Sequence, residues 1–139
     1  MAEAPPLLPD ARRGHSLADA NPDSRLDYIV EIKGQVAAPG GTGQPVAVVL
    51  RYVPDRLVVQ PASVGRYLKI VESLALSSLE SNAAMILNDI RNELVPRWIQ
   101  VSLSFPSTLH PGIHSHAVML EDRQPSWDNA ALLARLKPY

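Results

Sequence analysis

The chain has 139 residues, enough for one domain with a buried core and too few for two ordinary ones. Hydrophobic residues make up 46% and charged residues 19%, a globular composition rather than a disordered one. A net charge of −1 gives no electrostatic case for nucleic acid or an anionic membrane, and the absence of cysteine excludes disulfides and thiolate chemistry.

Residues 1–25 hold Pro5, Pro6, Pro9 and Pro22 among small and charged residues, with no sustained period, and are expected to form a mobile arm. They lack the basic-then-apolar pattern of a secretory signal, and no apolar run reaches the roughly 18 residues of a membrane span, so a cytoplasmic location is expected. From Leu26, the residues Leu26, Tyr28, Val30 and Ile32 alternate with the positions between them, which predicts a half-buried strand. The cluster Pro39-Gly40-Gly41-Thr42-Gly43 predicts a turn. Val46, Val48, Leu50 and Tyr52 then predict a second strand whose two-sided apolarity implies cover on both faces.

The period changes after Pro54-Asp55. Val64, Tyr67, Leu68 and Val71 share one face of a predicted helix with Ser63 as its cap. Leu79, Ala83, Ile86, Leu87, Ile90 and Leu94 repeat the pattern in a second helix that Pro96 stops. Alternation resumes at Ile99, Val101, Leu103 and Phe105, and a last strand is expected over residues 113–120. Pro125-Ser126 is placed to start a short C-terminal helix within a tail of residues 125–139, leaving 26–124 as the domain. The order ββααββ predicts an α+β fold, an antiparallel sheet with two helices on one face. Two exposed sheet edges favour assembly into a cyclic homo-oligomer that continues one sheet into the next.

Four segments carry a family resemblance: Thr42-Gly43-Gln44-Pro45, Arg51-Tyr52-Val53-Pro54-Asp55, Leu87-Asn88-Asp89-Ile90 and Pro96-Arg97-Trp98-Ile99. In order and spacing they resemble the 7-cyano-7-deazaguanine reductases, the nitrile reductases of queuosine biosynthesis, over residues 28–120. The resemblance implies the tunnelling fold, in which this unit assembles into barrels with ligand pockets between subunits. It also marks what is missing. Where the family places its nucleophilic cysteine this chain has Ala38 or Pro39, and where its aspartate stands this chain has Val46. The family's cofactor signature, Glu-Ser-Lys-Ser-Leu-Lys, is here Gln60-Pro61-Ala62-Ser63-Val64-Gly65, with Ala62 and Gly65 in place of the lysines. Nitrile reduction and a nicotinamide cofactor are therefore not expected; no cofactor is.

One position survives the comparison. The resemblance places Glu80 where the family's glutamate anchors the edge of a purine-like ring, with Leu79 in place of the preceding histidine. A carboxylate facing two N–H donors suits an amidine-like edge. Glu80 equally fits a capping box with Ser77 as N-cap, and both readings stand. His114 and His116, two apart on the expected last strand, would share a face, with His110 just before them; the three form a solvated or inter-subunit face or are candidate zinc ligands, and Glu80, His114 and His116 are the candidate acid–base groups. Arg51, a charge in an apolar strand, is a candidate ligand contact or a cross-hairpin partner of Glu31, and Ser63 is a second candidate ligand contact. Trp98 and Trp127 read as packing residues.

Three functions follow. The first is a repurposed enzyme doing lyase, cyclase, isomerase or hydrolase chemistry on a small cyclic, purine- or pterin-like ligand at a subunit interface. The second is a non-catalytic binding or structural paralogue. The third is a metal-dependent hydrolase on His110, His114 and His116.

Overall fold

Alternation in the second predicted strand resolves into two buried faces. In a computed structural model that describes residues 18–37, 45–74, 78–105 and 112–136, this strand is β3 (Pro45–Val53). The short β1 (Ala18–Ala20) and then β2 (Val30–Ala37) precede it. Val46, Val48, Leu50 and Tyr52 of β3 enter the core, while Val49, Arg51 and Val53 are buried on the other face, as expected of its sequence.

The remaining elements are β4 (Leu57–Val59), α1 (Pro61–Ser73), α2 (Leu79–Leu94), β5 (Trp98–Phe105), β6 (His116–Arg123) and α3 (Ala130–Leu133). The main sheet runs β2-β3-β5-β6 and is antiparallel throughout. Both long helices lie on one face, α1 against β2 and α2 against β5 and β6. Their apolar stripes, Val64, Tyr67, Leu68 and Val71 on α1 and Leu79, Ala83, Ile86, Leu87, Ile90 and Leu94 on α2, close the core against Ile99, Val101 and Leu103. At Gly34 an added Cβ would come within 2.9 Å of Leu68 Cδ1, so glycine is what lets β2 approach α1.

Buried hydroxyls fasten these layers. Tyr67 donates to Asp89 Oδ2 at 2.6 Å, joining the two helices, and the Val59 N–H donates to the Tyr52 hydroxyl at 2.8 Å, joining β4 to the sheet. Burial is the main reason the Tyr52 hydroxyl is pushed above its ordinary pKa.

Several boundaries differ from the sequence expectation. Residues 18–25, expected at the end of an arm, are tied down: β1 pairs antiparallel with β4, and Asn21 donates its side-chain amide to the Asp55 carbonyl at 2.7 Å. The strand expected from Leu26 begins at Val30, because the chain before it is bonded to a side chain instead of a neighbouring strand: the Leu26 carbonyl accepts from Arg97 at 3.0 Å. Helix α1 starts at Pro61, whose fixed φ and missing N–H suit a first helical position, so Ser63 lies inside the first turn and is not the cap. The last strand is shifted to His116–Arg123, since its charged end completes the ladder with β5, pairing Arg123 with Trp98. Charges on an edge strand are normal, and they hide it from a hydrophobic pattern. The C-terminal helix starts at Ala130 rather than Pro125, capped by Asn129, because Trp127 is held upstream by its ring N–H to Asp27 at 3.1 Å.

Candidate functional site

Helix α2 starts at an extended Ser78 (φ −148°, ψ 159°) whose Oγ accepts the Ser81 N–H at 3.0 Å. Ser77, the expected cap, lies outside the described residues, and the cap is Ser78. The register of the expected capping box is therefore one residue off: three positions after the cap stands Ser81, and Ser78 donates to its hydroxyl at 2.9 Å. Glu80 is thereby not the residue that closes the box.

The Glu80 carboxylate instead meets the first residue of β6. His116 Nε2 lies 3.0 Å from Glu80 Oε2, with the side chains 50% and 62% exposed. An ionised carboxylate only accepts, so Nε2 carries the proton of this bond and Nδ1 is the ring's proton-accepting atom when the imidazole is neutral. The carboxyl group of Glu80 is held below its ordinary pKa, first by its own backbone N–H in the first turn of the helix and second by His116.

The other candidates are elsewhere. His114 is exposed in the segment that precedes β6, so it does not share a strand face with His116. His110 lies outside the described residues, and among the described residues no three His, Cys, Asp or Glu side chains group as a metal site. Arg51 alternates with the core residues Leu50 and Tyr52, which puts it on the sheet face opposite α2. There it donates to Glu31 Oε2 at 2.7 Å and to Gln100 at 3.4 Å, the cross-hairpin pairing that the sequence allowed. Ser63 is buried in the first turn of α1, donating to Gln60 Oε1 and accepting from Arg66. That turn is about 15 Å along α1 from the helix's C-terminal Ser73. The structure thus brings together Glu80 and His116, and neither Arg51 nor Ser63 joins them.

Sequence reasoning missed a second polar centre at the other end of the sheet. Arg97, 17% exposed, donates to the Ser24 and Leu26 carbonyls, to Asp27 at 3.1 Å and to Asp55 at 3.3 Å. Gln124 reaches the other Asp55 oxygen at 3.0 Å, and Trp127 and Asn129 both donate to Asp27. A cleft of about 190 Å³ lies nearby, lined by Arg91, Val95, Pro96, Ile99, Asp122, Arg123 and Gln124. Its cations are engaged with carboxylates, Arg91 with Asp122 at 2.8 Å and Arg123 with Glu121 and Asp128. The signal for this centre was present in Pro54-Asp55 and Pro96-Arg97, which were read only as marks of resemblance.

No family model matches the chain, and no curated relative does. Among solved structures, it is similar to the apo crystal structure of the archaeosine synthase QueF-Like, with a TM-score of 0.51 and 14% sequence identity. The match covers 73% of this chain and 95% of that one. The fold is the tunnelling fold expected from the sequence.

Proposed function

We propose that the protein is a repurposed tunnelling-fold enzyme that binds a small cyclic ligand with an amidine-like N–H edge and moves a proton on it, with Glu80 as the ligand anchor and His116 as the acid–base group. The observation that carries this reading is the Glu80–His116 contact at 3.0 Å, exposed at the start of α2, where an incoming ligand meets a carboxylate and an imidazole together. A carboxylate held below its ordinary pKa stays ionised at neutral pH, as a reader of paired N–H donors must. Nitrile reduction has no support: the chain contains no thiol, and Val46, where the family's acid would stand, is fully buried in the core. His114, next to this pair in sequence, is a second acid–base candidate.

The site belongs to an assembly in this reading. β2 and β6 are the edge strands of the main sheet, and their pairing with neighbouring copies would close a ring and wall the ligand at the start of α2. A monomeric mass in light scattering at micromolar concentration counts against the ring.

A non-catalytic reading draws on one feature, the place of Glu80 in the first turn of α2, where the backbone N–H holds its carboxyl below the ordinary pKa. The two readings part in a thermal-shift screen with purines, deazapurines and pterins on wild type and Glu80→Gln, because a ligand selective for the folded state raises the melting temperature. The anchoring reading expects a stabilising ligand whose affinity falls by about 2 kcal/mol in Glu80→Gln. No stabilising ligand, or equal affinity for both proteins, decides for the inert paralogue. In a separate assay the protein should leave NADPH unoxidised with 7-cyano-7-deazaguanine; steady turnover rejects the proposal.

A further inference from the structure

We infer that His116 is a built-in competitor for the Glu80 carboxylate, an autoinhibitory contact that a ligand with paired N–H donors must break before it is bound. The inference rests on the reading of Glu80 as ligand anchor and adds a gate to it.

In the ligand-free protein the carboxylate is already in use. Glu80 Oε2 holds His116 Nε2 at 3.0 Å. A ligand that offers two parallel N–H donors needs both carboxylate oxygens, so it takes the oxygen that His116 holds. A ligand with one donor can use the other oxygen and leave His116 in place. The two cases therefore differ in whether the imidazole is displaced.

Geometry makes the contact breakable. Both side chains are half exposed or more, and an exposed pair of this kind is weak. His116 forms the terminal pair of the β5–β6 ladder, opposite Phe105, so its side chain can turn away with the rest of the register intact. Ser78 and Ser81 are neutral and bonded to each other, Phe105 is apolar, and His114 lies two residues upstream. Once displaced, the imidazole stands beside the bound ligand with Nε2–H free to donate and Nδ1 free to accept. Gating and proton transfer are in this way assigned to one residue.

The test is isothermal calorimetry on the full chain with 7-deazaguanine, which has paired donors, and 7-deazahypoxanthine, which lacks the exocyclic amine. His116→Ala is expected to bind 7-deazaguanine roughly two- to fivefold more tightly than wild type, and 7-deazahypoxanthine about equally. His116→Gln keeps an N–H donor at the reach of Nε2 and should return affinity toward wild type. Added salt should narrow the gap between wild type and His116→Ala. Weaker binding of 7-deazaguanine by His116→Ala would make His116 a ligand contact and overturn the gate, and unchanged binding overturns it equally; both leave Glu80 as anchor. If neither probe binds either protein, the gate and the anchor fall together. An NMR titration of ligand-free protein separates the remaining case: the Glu80 carboxyl midpoint should rise in His116→Ala, and if it stays put the contact does not form in solution and the gate alone fails.

Discussion

The two ends of the main sheet are built on opposite plans. At the Arg97 end, one guanidinium bonds two carbonyls and two carboxylates. Those carboxylates in turn collect Gln124, Trp127 and Asn129 from the C-terminal segment. At the Glu80 end, a carboxylate and an imidazole meet through a single side-chain contact in the open. Removing any one bond from the first leaves the rest in place, whereas the second has one side-chain bond to lose. A hub of that density is what fixes the ends of a chain; a lone exposed pair is what a ligand can exchange with. Resemblance to the nitrile reductases is carried chiefly by the first kind of residue. Asp55 and Arg97 clamp segments that flank the sheet, and Asp89 is the buried acceptor that joins α1 to α2.

The contrast is sharpest in stability. Arg97→Met is expected to cost roughly 2–4 kcal/mol in urea unfolding, because it removes the cation that pairs with both Asp27 and Asp55, each about two-thirds or more sheltered, and frees the chain at Ser24–Leu26. A loss below about 0.5 kcal/mol would mean that the clamp is decorative. Next in size is Tyr67→Phe, which removes the hydroxyl from Asp89 in the helix interface and should cost roughly 1–2 kcal/mol by the same measurement.

The sequence carried the layers better than the ends. Strand β3, both long helices and β5 were legible because their apolar residues recur at periods of two or 3.6 over many residues. The edge strand β6 was misplaced by three residues, since Glu121, Asp122 and Arg123 complete a ladder without adding apolar periodicity. Strand β1 has three residues, too few for any period, and its pairing with β4 is a contact across 39 positions, from Asp19 to Val58, that no local pattern announces. Glu80 was legible from the resemblance and the histidines beside it from the pattern, but which histidine meets it was not, because that depends on where β6 begins. Reading the strand from residue 113 put His114 and His116 together on a face, as a solvated or inter-subunit face or as candidate ligands and acid–base groups. With β6 starting at His116, only that histidine is fixed opposite the helix.

Helix α2 itself supplies a prediction of the opposite sign. It ends at Val95 in the left-handed region, φ 46°, a conformation that costs a β-branched residue roughly 1–2 kcal/mol and glycine almost nothing. The side chain is 59% exposed, so little packing is lost on removing it. Val95→Gly should raise stability by about 0.5–1 kcal/mol after the added freedom of the unfolded chain is counted. A loss instead would show that Val95 is held by a partner at the adjoining cleft, and the cleft would then join the comparison as a third functional region.

The smallest effects lie in acid, and their signs follow from the two carboxyls. For Asp27, burial pushes the pKa up, but hydrogen bonds from Asn129 and Trp127 and the charge and hydrogen bond of Arg97 outweigh it, so the group sits below its ordinary value of 3.8. Glu80 likewise sits below 4.5, through its own N–H and His116. A carboxyl that binds its proton less readily when folded adds stability that is present above its ordinary pKa and lost as pH falls through the lower, folded value. Both therefore steepen the loss of stability below about pH 4.5 and contribute no slope at neutral pH. Asp27→Asn should flatten that acid limb visibly in urea midpoints collected from pH 5 to pH 2.5, because three donors, from Arg97, Trp127 and Asn129, converge on the group. Glu80→Gln should leave the limb almost unchanged, since an exposed pair in water is screened. Its effect is expected in ligand affinity at neutral pH instead. Equal flattening by the two substitutions would mean that Glu80 is as firmly built into the fold as Asp27, and an anchor of that kind would have no reason to release His116.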